Sequence, residues 1–317
     1  MNYYVGVTDY NWFDYLRQEP REDVNFWKPL GGGTKFGAVP SGAPFLLKLK
    51  KPYHCIAGIA YFTNQIDLPI SMAWDMFGPR NGFGEYHEFA QAIQKYRAAN
   101  GKPFKHNPLI SCLVLTAPLF FRKPDWIPAP ESWGNSIVTG KVYDTKDAAG
   151  AQLWAAVSAT QLRYRQNAFT HELATDSVAL ESPGIYREAL TKVRVGQGAF
   201  RALVTQAYDK RCAISGEKTL PVLEAAHIQP FSQAGPNSVG NGLLLRSDLH
   251  KLFDKHYITI DATDQVVRIS PRIREEFSNG KEYYRFDGQP LQVLPKLLAD
   301  QPAKQYLQHH NERFLGR

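Results

Sequence analysis

The spacing of apolar residues predicts a run of strands and helices through the first half of the chain. Segments that alternate apolar with polar residues, or that are apolar throughout, are typical of strands. Four segments of this kind are 3–7, 45–49, 55–62 and 109–119. Helical spacing is found over 12–17, where Asp9 or Asn11 is placed to cap, and over 85–98. Residues 30–44 are rich in glycine and proline, which predicts an exposed loop.

The pattern changes after residue 170, where a polar connector over 171–191 leads into shorter elements. Those elements are predicted as a helix over 197–208, strands over 223–228 and 241–245, and a helix over 247–254. Ser247 is placed to cap the last helix. The sequence therefore predicts an α+β protein, with a curved-sheet unit over 1–170 and a second unit over 192–317.

The composition is that of a folded protein large enough for two domains. Of its 317 residues, 44% are hydrophobic and 21% are charged. No apolar run is long enough to cross a bilayer, and the first residues lack the features of a signal peptide. We therefore expect a cytoplasmic protein without a membrane partner. The three cysteines are widely scattered, which favours neither a disulfide framework nor a zinc knuckle.

Charge and tryptophan are unevenly placed along the chain. The formal net charge of +7 favours a polyanionic partner. All six tryptophans lie before residue 155. This shift in aromatic content indicates two domains of different ancestry.

Three polar residues carry the candidate chemistry of the second unit. His227 ends its first predicted strand, Asn241 begins the next, and His250 lies on the helix that follows. Hydrolysis of a phosphodiester needs a base for the attacking water and a cation for the charge on phosphorus, and histidine has a suitable intrinsic pKa for the base. Asp254 lies four residues after His250, so both side chains share one helix face and can point at one ion.

The order of these residues resembles the HNH (ββα-metal) nuclease motif, as do the surrounding segments 223–228 and 241–245. The resemblance implies that His227 is the general base. It also implies that His250 binds a divalent metal, Mg²⁺ or Mn²⁺, with Ni²⁺ or Co²⁺ as alternatives. It leaves two roles open for Asn241, which either braces the loop that holds the base or ligates the metal.

The metal shell departs from the family pattern. Ala226 stands where many HNH nucleases have a metal-binding residue immediately before the base. Glu224, on the same side of the strand, is a candidate replacement, and Asp254 is a further candidate ligand one turn past the helix histidine. Cys212 is followed at the matching spacing by Ser215 rather than a second cysteine, so the structural zinc of some relatives is not expected.

The first unit resembles EVE domains, which are relatives of the PUA and YTH folds. The resemblance rests on the segments Tyr4–Val7, Asn11–Trp12, Asn25–Pro29 and Ala57–Phe62. The whole chain resembles bacterial EVE–HNH modification-dependent restriction endonucleases. This implies a type IV-like enzyme whose PUA-like unit binds a flipped 5-methyl- or 5-hydroxymethylcytosine in double-stranded DNA, and whose HNH unit cuts nearby. Base flipping costs a few kcal/mol, which stacking on aromatic walls can offset.

Aromatic residues of the first unit are candidates for the walls of this base pocket. Trp27 is the first choice, because it lies beside Lys28 and just before the glycine loop, and Trp74 is the second. Asp75 is a candidate acceptor for the exocyclic amine of cytosine. The full set of wall candidates is Trp12, Trp27, Tyr61, Phe62 and Trp74. The candidate contacts to the DNA backbone are Lys28, Lys35, Lys48, Lys50, Lys51 and Arg80.

Two other functions fit the sequence. One is an HNH nuclease whose first unit reads unmodified sequence or an RNA base. The other is a modified-base reader without catalysis, which Ala226 in a ligand position favours. Each HNH site cuts one strand, so a homodimer formed through the second unit is one way to cut both.

Overall fold

The computed structural model describes residues 1–134, 136–172 and 196–316. The chain divides into two compact units, Met1–Arg194 and Val195–Arg317. Of the predicted connector over 171–191, residues 173–191 lie outside the described residues, and the first two residues end a helix. No described helix combines the length and the hydropathy that a membrane span requires.

The first unit is built on a seven-stranded sheet in the order β2-β5-β4-β3-β1-β7, with β6 beside β4. Only the pair β1–β3 is parallel among these described strands. The pairing shifts register in β3 between Leu47 and Lys48, and twice along β4. Such irregularities bend a sheet, which accounts for its predicted curvature. The strands are β1 (Asn2–Thr8), β2 (Asp23–Lys28), β3 (Pro44–Leu49), β4 (Cys55–Pro69), β5 (Leu109–Phe120), β6 (Ile127–Pro128) and β7 (Gly140–Asp144).

Two of the described helices of this unit, α1 and α3, were predicted from the sequence, whereas α2 and α4 were not. Asp9 caps the first helix, accepting the N–H of Asn11 at 3.0 Å. The last helix was not predicted, because its sequence carries little helical periodicity of apolar residues. The helices are α1 (Tyr10–Leu16), α2 (Ile70–Phe77), α3 (Tyr86–Ala99) and α4 (Ala148–Glu172).

Both faces of the sheet are buried. Phe45 and Leu47 of β3 pack in a core with side chains of α1. Leu46, between them, packs in a second core with Leu153 and Val157 of α4. Alternate residues of one strand therefore enter two different cores. This explains why the strands read as continuous apolar runs in the sequence.

The second unit contains the predicted order of strand, strand and helix. β8 and β9 pair antiparallel, with His227 opposite Gly242, and α6 begins directly after β9. Their apolar side chains share one core with α5 and the later elements. The α+β fold class is thus confirmed. The elements are α5 (Gln197–Ala207), β8 (Leu223–His227), β9 (Gly242–Arg246), α6 (Ser247–Asp254), β10 (Ile258–Ile260), β11 (Val267–Ile269), α7 (Arg272–Phe277), α8 (Lys281–Tyr284) and α9 (Lys304–Asn311).

The start of α6 differs from the prediction. Ser247 is already the first helical residue, so it is not the cap, and Arg246 before it makes no side-chain capping bond. Asp248 instead places a negative charge in the first turn, where it interacts favourably with the helix dipole. Its carboxylate lies 2.6 Å from the guanidinium of Arg246. Cys212 lies nearby, and its sulfur accepts the backbone N–H groups of Ser215 and Arg246 at 3.4 Å each.

Candidate functional site

A cavity of about 450 Å³ lies at the ends of β1 and β2 in the first unit. Trp12, Trp27 and Lys28 line it, together with Tyr96 of α3. Trp27 is half-buried, and its ring N–H donates to the backbone oxygen of Asn81 at 2.9 Å, which fixes the orientation of the ring. The cavity has the volume and the mixture of aromatic and polar walls of a small-molecule or nucleobase pocket.

Asp9 supplies a carboxylate to this cavity, a role that sequence reasoning missed because Asp9 was read only as a helix cap. One carboxylate oxygen accepts the hydroxyl of Tyr96 at 2.9 Å and the ammonium of Lys50 at 3.4 Å. Burial raises the pKa of Asp9, but the hydrogen bond from Tyr96 and the charge of Lys50 outweigh it, so the pKa lies below its usual value. The carboxylate is therefore ionised at neutral pH and can accept an N–H from a bound base.

Four residues predicted for the base pocket lie outside this cavity. Trp74 packs against Phe89, and Asp75 is exposed next to it on α2. Tyr61 and Phe62 are 9% and 6% exposed on β4, a central strand with partners on both sides. None of these four side chains lines the cavity that contains Trp27.

The residues predicted to contact the DNA backbone also lie in different places, some at this cavity and some away from it. Lys28 and Lys50 line the cavity, whereas Lys35 is exposed in the loop between β2 and β3. Arg80 makes its described contacts within the first unit. Its guanidinium lies 2.7 Å from the fully buried carboxylate of Asp23 and donates to two backbone carbonyls. Arg80 therefore stabilises the fold instead of facing a ligand.

In the second unit, two contacts fix the ring of His227. The ring stacks on Phe200 of α5, with centroids 3.9 Å apart and planes at 12°. Its Nε2 lies 2.8 Å from Oδ1 of Asn237. Because a carboxamide oxygen only accepts, this bond places the proton on Nε2 and leaves the lone pair on Nδ1. Sequence reasoning missed both Phe200 and Asn237.

The surroundings of His227 favour the neutral ring. Burial lowers its pKa, the bond to Asn237 raises it, and the positive charge of His250 lowers it further, so the pKa lies below its ordinary value. The ring is therefore neutral at pH 7. An unprotonated Nδ1 at that pH can take a proton from water, as a general base must.

We expect Asn237→Asp to shift the pH dependence of catalysis. A carboxylate at this position stabilises protonated His227 and raises its pKa. Since only the neutral ring acts as a base, the acidic limb of a plot of cleavage rate against pH should begin below about pH 6.5 in the native chain and move upward in the variant. Asn279→Asp, at an exposed asparagine of the same unit, is the control. An unchanged acidic limb in Asn237→Asp would show that another group limits the rate.

Asn241 braces the loop after His227. The residue is fully buried. Its Oδ1 accepts the N–H of Gln229, and its Nδ2 donates to the carbonyls of Gln229 and Pro236, all at 2.9 Å. Both ends of the carboxamide are thus occupied by backbone. Of the two roles left open by the sequence, these bonds favour the brace.

His250 lies between two carboxylates. Its Nδ1 is 2.6 Å from Oε2 of Glu224, and its Nε2 is 3.3 Å from Oδ2 of Asp254. Burial lowers the pKa of His250, but its bonds to Asp254 and Glu224 and their charges outweigh it, so the pKa is raised. A positive charge is therefore favoured at this point of the second unit.

The donor set at His250 fits a divalent cation in its chemistry. Imidazole nitrogen and carboxylate oxygen are ligands for such ions, and two carboxylates need a nearby cation. Among the described residues, however, no three His, Cys, Asp or Glu side chains are already grouped around one point. Glu224 accepts from Nδ1, which leaves Nε2 and Asp254 for an ion. In this arrangement Glu224 orients the ring of His250, and its role as a direct ligand stays a prediction.

Residues 212–261, which include β8, β9 and α6, match the family model described as HNH endonuclease. The second unit therefore contains an HNH endonuclease domain, as the sequence motif predicted. No match is found among curated proteins.

Solved structures similar to the chain include two kinds of protein. ASCH from Zymomonas mobilis is 11% identical with a TM-score of 0.34, over 49% of this chain and 94% of that chain. A mutant of the same protein is 9% identical with a TM-score of 0.35, over 49% and 96%. The modification-dependent TagI restriction endonuclease is 13% identical with a TM-score of 0.27, over 97% and 81%.

Proposed function

We propose that this protein is a restriction endonuclease that acts on double-stranded DNA containing 5-methyl- or 5-hydroxymethylcytosine. The first unit takes a flipped cytosine into the cavity of Trp12, Trp27 and Asp9, and the HNH domain hydrolyses a phosphodiester bond nearby. The observation that carries the reading function is an ionised carboxylate held inside an aromatic-walled cavity.

Each part of the cavity suits one part of a cytosine. The half-buried ring of Trp27 offers stacking surface, which contributes about 1–3 kcal/mol per base. Trp12 also lines the cavity but is only 5% exposed. The carboxylate of Asp9 accepts the exocyclic amine, a pairing that cytosine offers and thymine lacks. A methyl group at C5 adds little area, so we expect discrimination of only about 1–3 kcal/mol for the modification itself.

Cleavage follows from the arrangement around His227. Nδ1 of His227 takes a proton from the attacking water, while Phe200 and Asn237 keep the ring in place. Asn241 holds the loop and is a positioning residue. His250 and Asp254 would hold a Mg²⁺ or Mn²⁺, which would supply positive charge for the phosphate and the leaving oxygen. Cutting both strands takes two such sites, for which a homodimer stays the prediction.

A cleavage assay tests the proposal as a whole. One plasmid is prepared unmodified, with 5-methylcytosine and with 5-hydroxymethylcytosine, and is incubated with the protein and Mg²⁺ or Mn²⁺. We expect cutting of the modified DNA only. Equal cutting of all three would show a nuclease that reads unmodified sequence, and cutting of an RNA of the same sequence instead would show an RNA reader. No cutting with either metal would favour a reader without catalysis.

Trp27→Ala should remove much of the recognition of the modified base. Loss of one stacking wall is expected to weaken binding of a 5-methylcytosine oligonucleotide by about 1–3 kcal/mol, or about 5- to 150-fold, and to reduce its preference over unmodified DNA. Fluorescence anisotropy without divalent metal measures both quantities. Trp74→Ala, at a tryptophan outside the cavity, is the matched control. A full preference retained in Trp27→Ala would exclude this cavity as the reading site.

Metal binding separates an enzyme from a reader with an inactive HNH domain. We expect the chain to bind Mn²⁺ and Asp254→Asn to abolish this binding. Glu224→Gln should weaken affinity by about 10- to 100-fold, because it replaces the charged acceptor that orients His250 with a neutral one. Electron paramagnetic resonance of free Mn²⁺ measures the affinity, with Asp264→Asn, half-exposed in the turn between β10 and β11, as the control. Equal Mn²⁺ affinity in all variants would place the metal elsewhere.

A further inference from the structure

A second cavity of about 470 Å³ in the first unit has an unusual concentration of positive charge. Lys48, Lys50 and Lys51 line it, together with His54 and Trp133. No aspartate or glutamate is among the residues that line it. Three amino groups around one cavity without an acid make a site for an anion.

Lys48 is the unusual member of this group, because it is buried. It is only 4% exposed on β3, and its ammonium lies 5.0 Å from the ring centroid of Trp133. In the described part of the chain, neither Lys48 nor Lys51 forms an ion pair. Burial, together with the charge of Lys51, lowers the pKa of Lys48. A buried ammonium without a carboxylate is costly, and an anion in the cavity would compensate for it.

His54 adds a hydrogen-bond donor to the same cavity. Its Nδ1 lies 3.1 Å from the ammonium of Lys48. An ammonium only donates, so Nδ1 accepts and the ring proton of neutral His54 is on Nε2. Burial and the charges of Lys48 and Lys51 lower the pKa of His54, which keeps the ring neutral in this form. The ring thus holds Lys48 with one nitrogen and offers N–H with the other.

The lysine cavity adjoins the cavity of Trp12 and Trp27. Val7, Lys50 and Val138 line both. Lys50 forms an ion pair with Asp9 on the side of the base cavity, so the charge of Lys50 is partly neutralised there. Lys48 and Lys51 are the two lysines whose charge remains for a ligand on the other side. A base in one cavity therefore has a positive site next to it, where its own strand would carry a phosphate.

We propose that the cavity of Lys48, Lys51 and His54 binds the phosphodiester group next to the flipped nucleotide. This inference rests on the proposed function, since it assigns a second subsite to the same DNA strand. The contact carries no sequence or modification information. It fixes the strand so that the base reaches the neighbouring cavity.

A cycle of protein and DNA changes tests this proposal. The full-length protein binds a 5-methylcytosine duplex without divalent metal, and the same duplex with one phosphate beside the modified base replaced by a neutral methylphosphonate, tried on each side. Lys51→Gln is the main variant because its side chain is exposed. Lys48→Met keeps the buried volume and removes the charge. Lys105→Gln, at an exposed lysine outside the cavity, is the control.

We expect Lys51→Gln and Lys48→Met to weaken binding on the order of tenfold. Each should also reduce the slope of log affinity against log salt by up to about 1. The preference for modified over unmodified DNA should not change. The neutral linkage should weaken binding to the native chain at one of its two positions and have little further effect in either variant.

Additive effects of the neutral linkage and Lys51→Gln at both positions would overturn the proposal, because the lysine and that phosphate would then not meet. Inorganic phosphate, titrated alone by calorimetry, is a second arm. If it binds the native chain but not Lys51→Gln, while DNA binding is equal in the two, the cavity serves a free anion and the proposal is wrong. The preference for modified DNA is measured separately with Trp27→Ala. A failure of the proposed base recognition can therefore be distinguished from a failure of the phosphate subsite.

Discussion

Replacement of His227 with alanine should lower the rate of DNA cleavage by about 10²- to 10⁴-fold, the usual contribution of a general base. The ring has three properties of such a base in this structure. It is held by Phe200 and Asn237, its Nδ1 carries the lone pair, and its pKa lies below the ordinary value. Removing it takes away the proton acceptor without changing the DNA-binding unit.

Single-turnover cleavage of modified plasmid measures this effect, with DNA binding measured beside it. The rate should fall while affinity for modified DNA stays within about twofold, because rate and binding report different interactions. His106→Ala, at an exposed histidine of the first unit, is the matched control. A His227→Ala protein that cuts at the native rate would mean that a different residue activates the water.

Replacement of Asn241 with aspartate should destabilise the second unit by about 3 kcal/mol or more. The side chains have nearly the same shape, so the change acts through hydrogen bonds. In the native chain, Nδ2 donates to the carbonyls of Gln229 and Pro236. A carboxylate oxygen there faces both carbonyls without a proton, and each unsatisfied buried acceptor costs about 1–3 kcal/mol. The charge is also fully buried, which adds to the cost.

Urea unfolding, monitored by a signal from the second unit, gives the free energy of unfolding. Hydrogen exchange over residues 228–241 measures the protection of the loop. Both stability and exchange protection should fall, with cleavage falling in parallel. Asn100→Asp, at an exposed asparagine of the first unit, should leave them unchanged. Native stability in Asn241→Asp, with loss of cleavage alone, would instead indicate that the amide acts directly at the metal or substrate.

The elements that carry the candidate site were easier to predict from the sequence in the second unit than in the first. The motif fixes its residues on consecutive elements, so the spacing of His227 and His250 predicts strand and helix directly, and the structure has them there. The metal shell was less readable. Ala226 is fully buried in the core, and Glu224 is taken by Nδ1 of His250, a contact between strand and helix that spacing does not specify.

The residues that sequence reasoning missed share one property, which is that tertiary contacts give them their roles. Phe200 lies on a separate helix, and Asn237 lies in a loop without fixed periodicity. Asp9 is a true helix cap, and only the approach of Tyr96 from α3 makes it part of a cavity. Aromatic content does not separate pocket residues from packing residues at Tyr61 and Phe62, because a central strand buried on both faces needs large apolar residues for packing alone.

The pairing of one carboxamide with both Gln229 and Pro236 has a consequence for variation among homologous chains. These two bonds close the loop at its neck, which consists of Gln229 and Pro236. The backbone at the neck is therefore held in place independently of the residues between them. Residues 231–234 lie beyond it and are exposed. Length changes there cost little loop entropy and leave the neck bonds intact. An inserted peptide tag should be tolerated at 231–234, beside the cleavage centre, and not at the two neck positions.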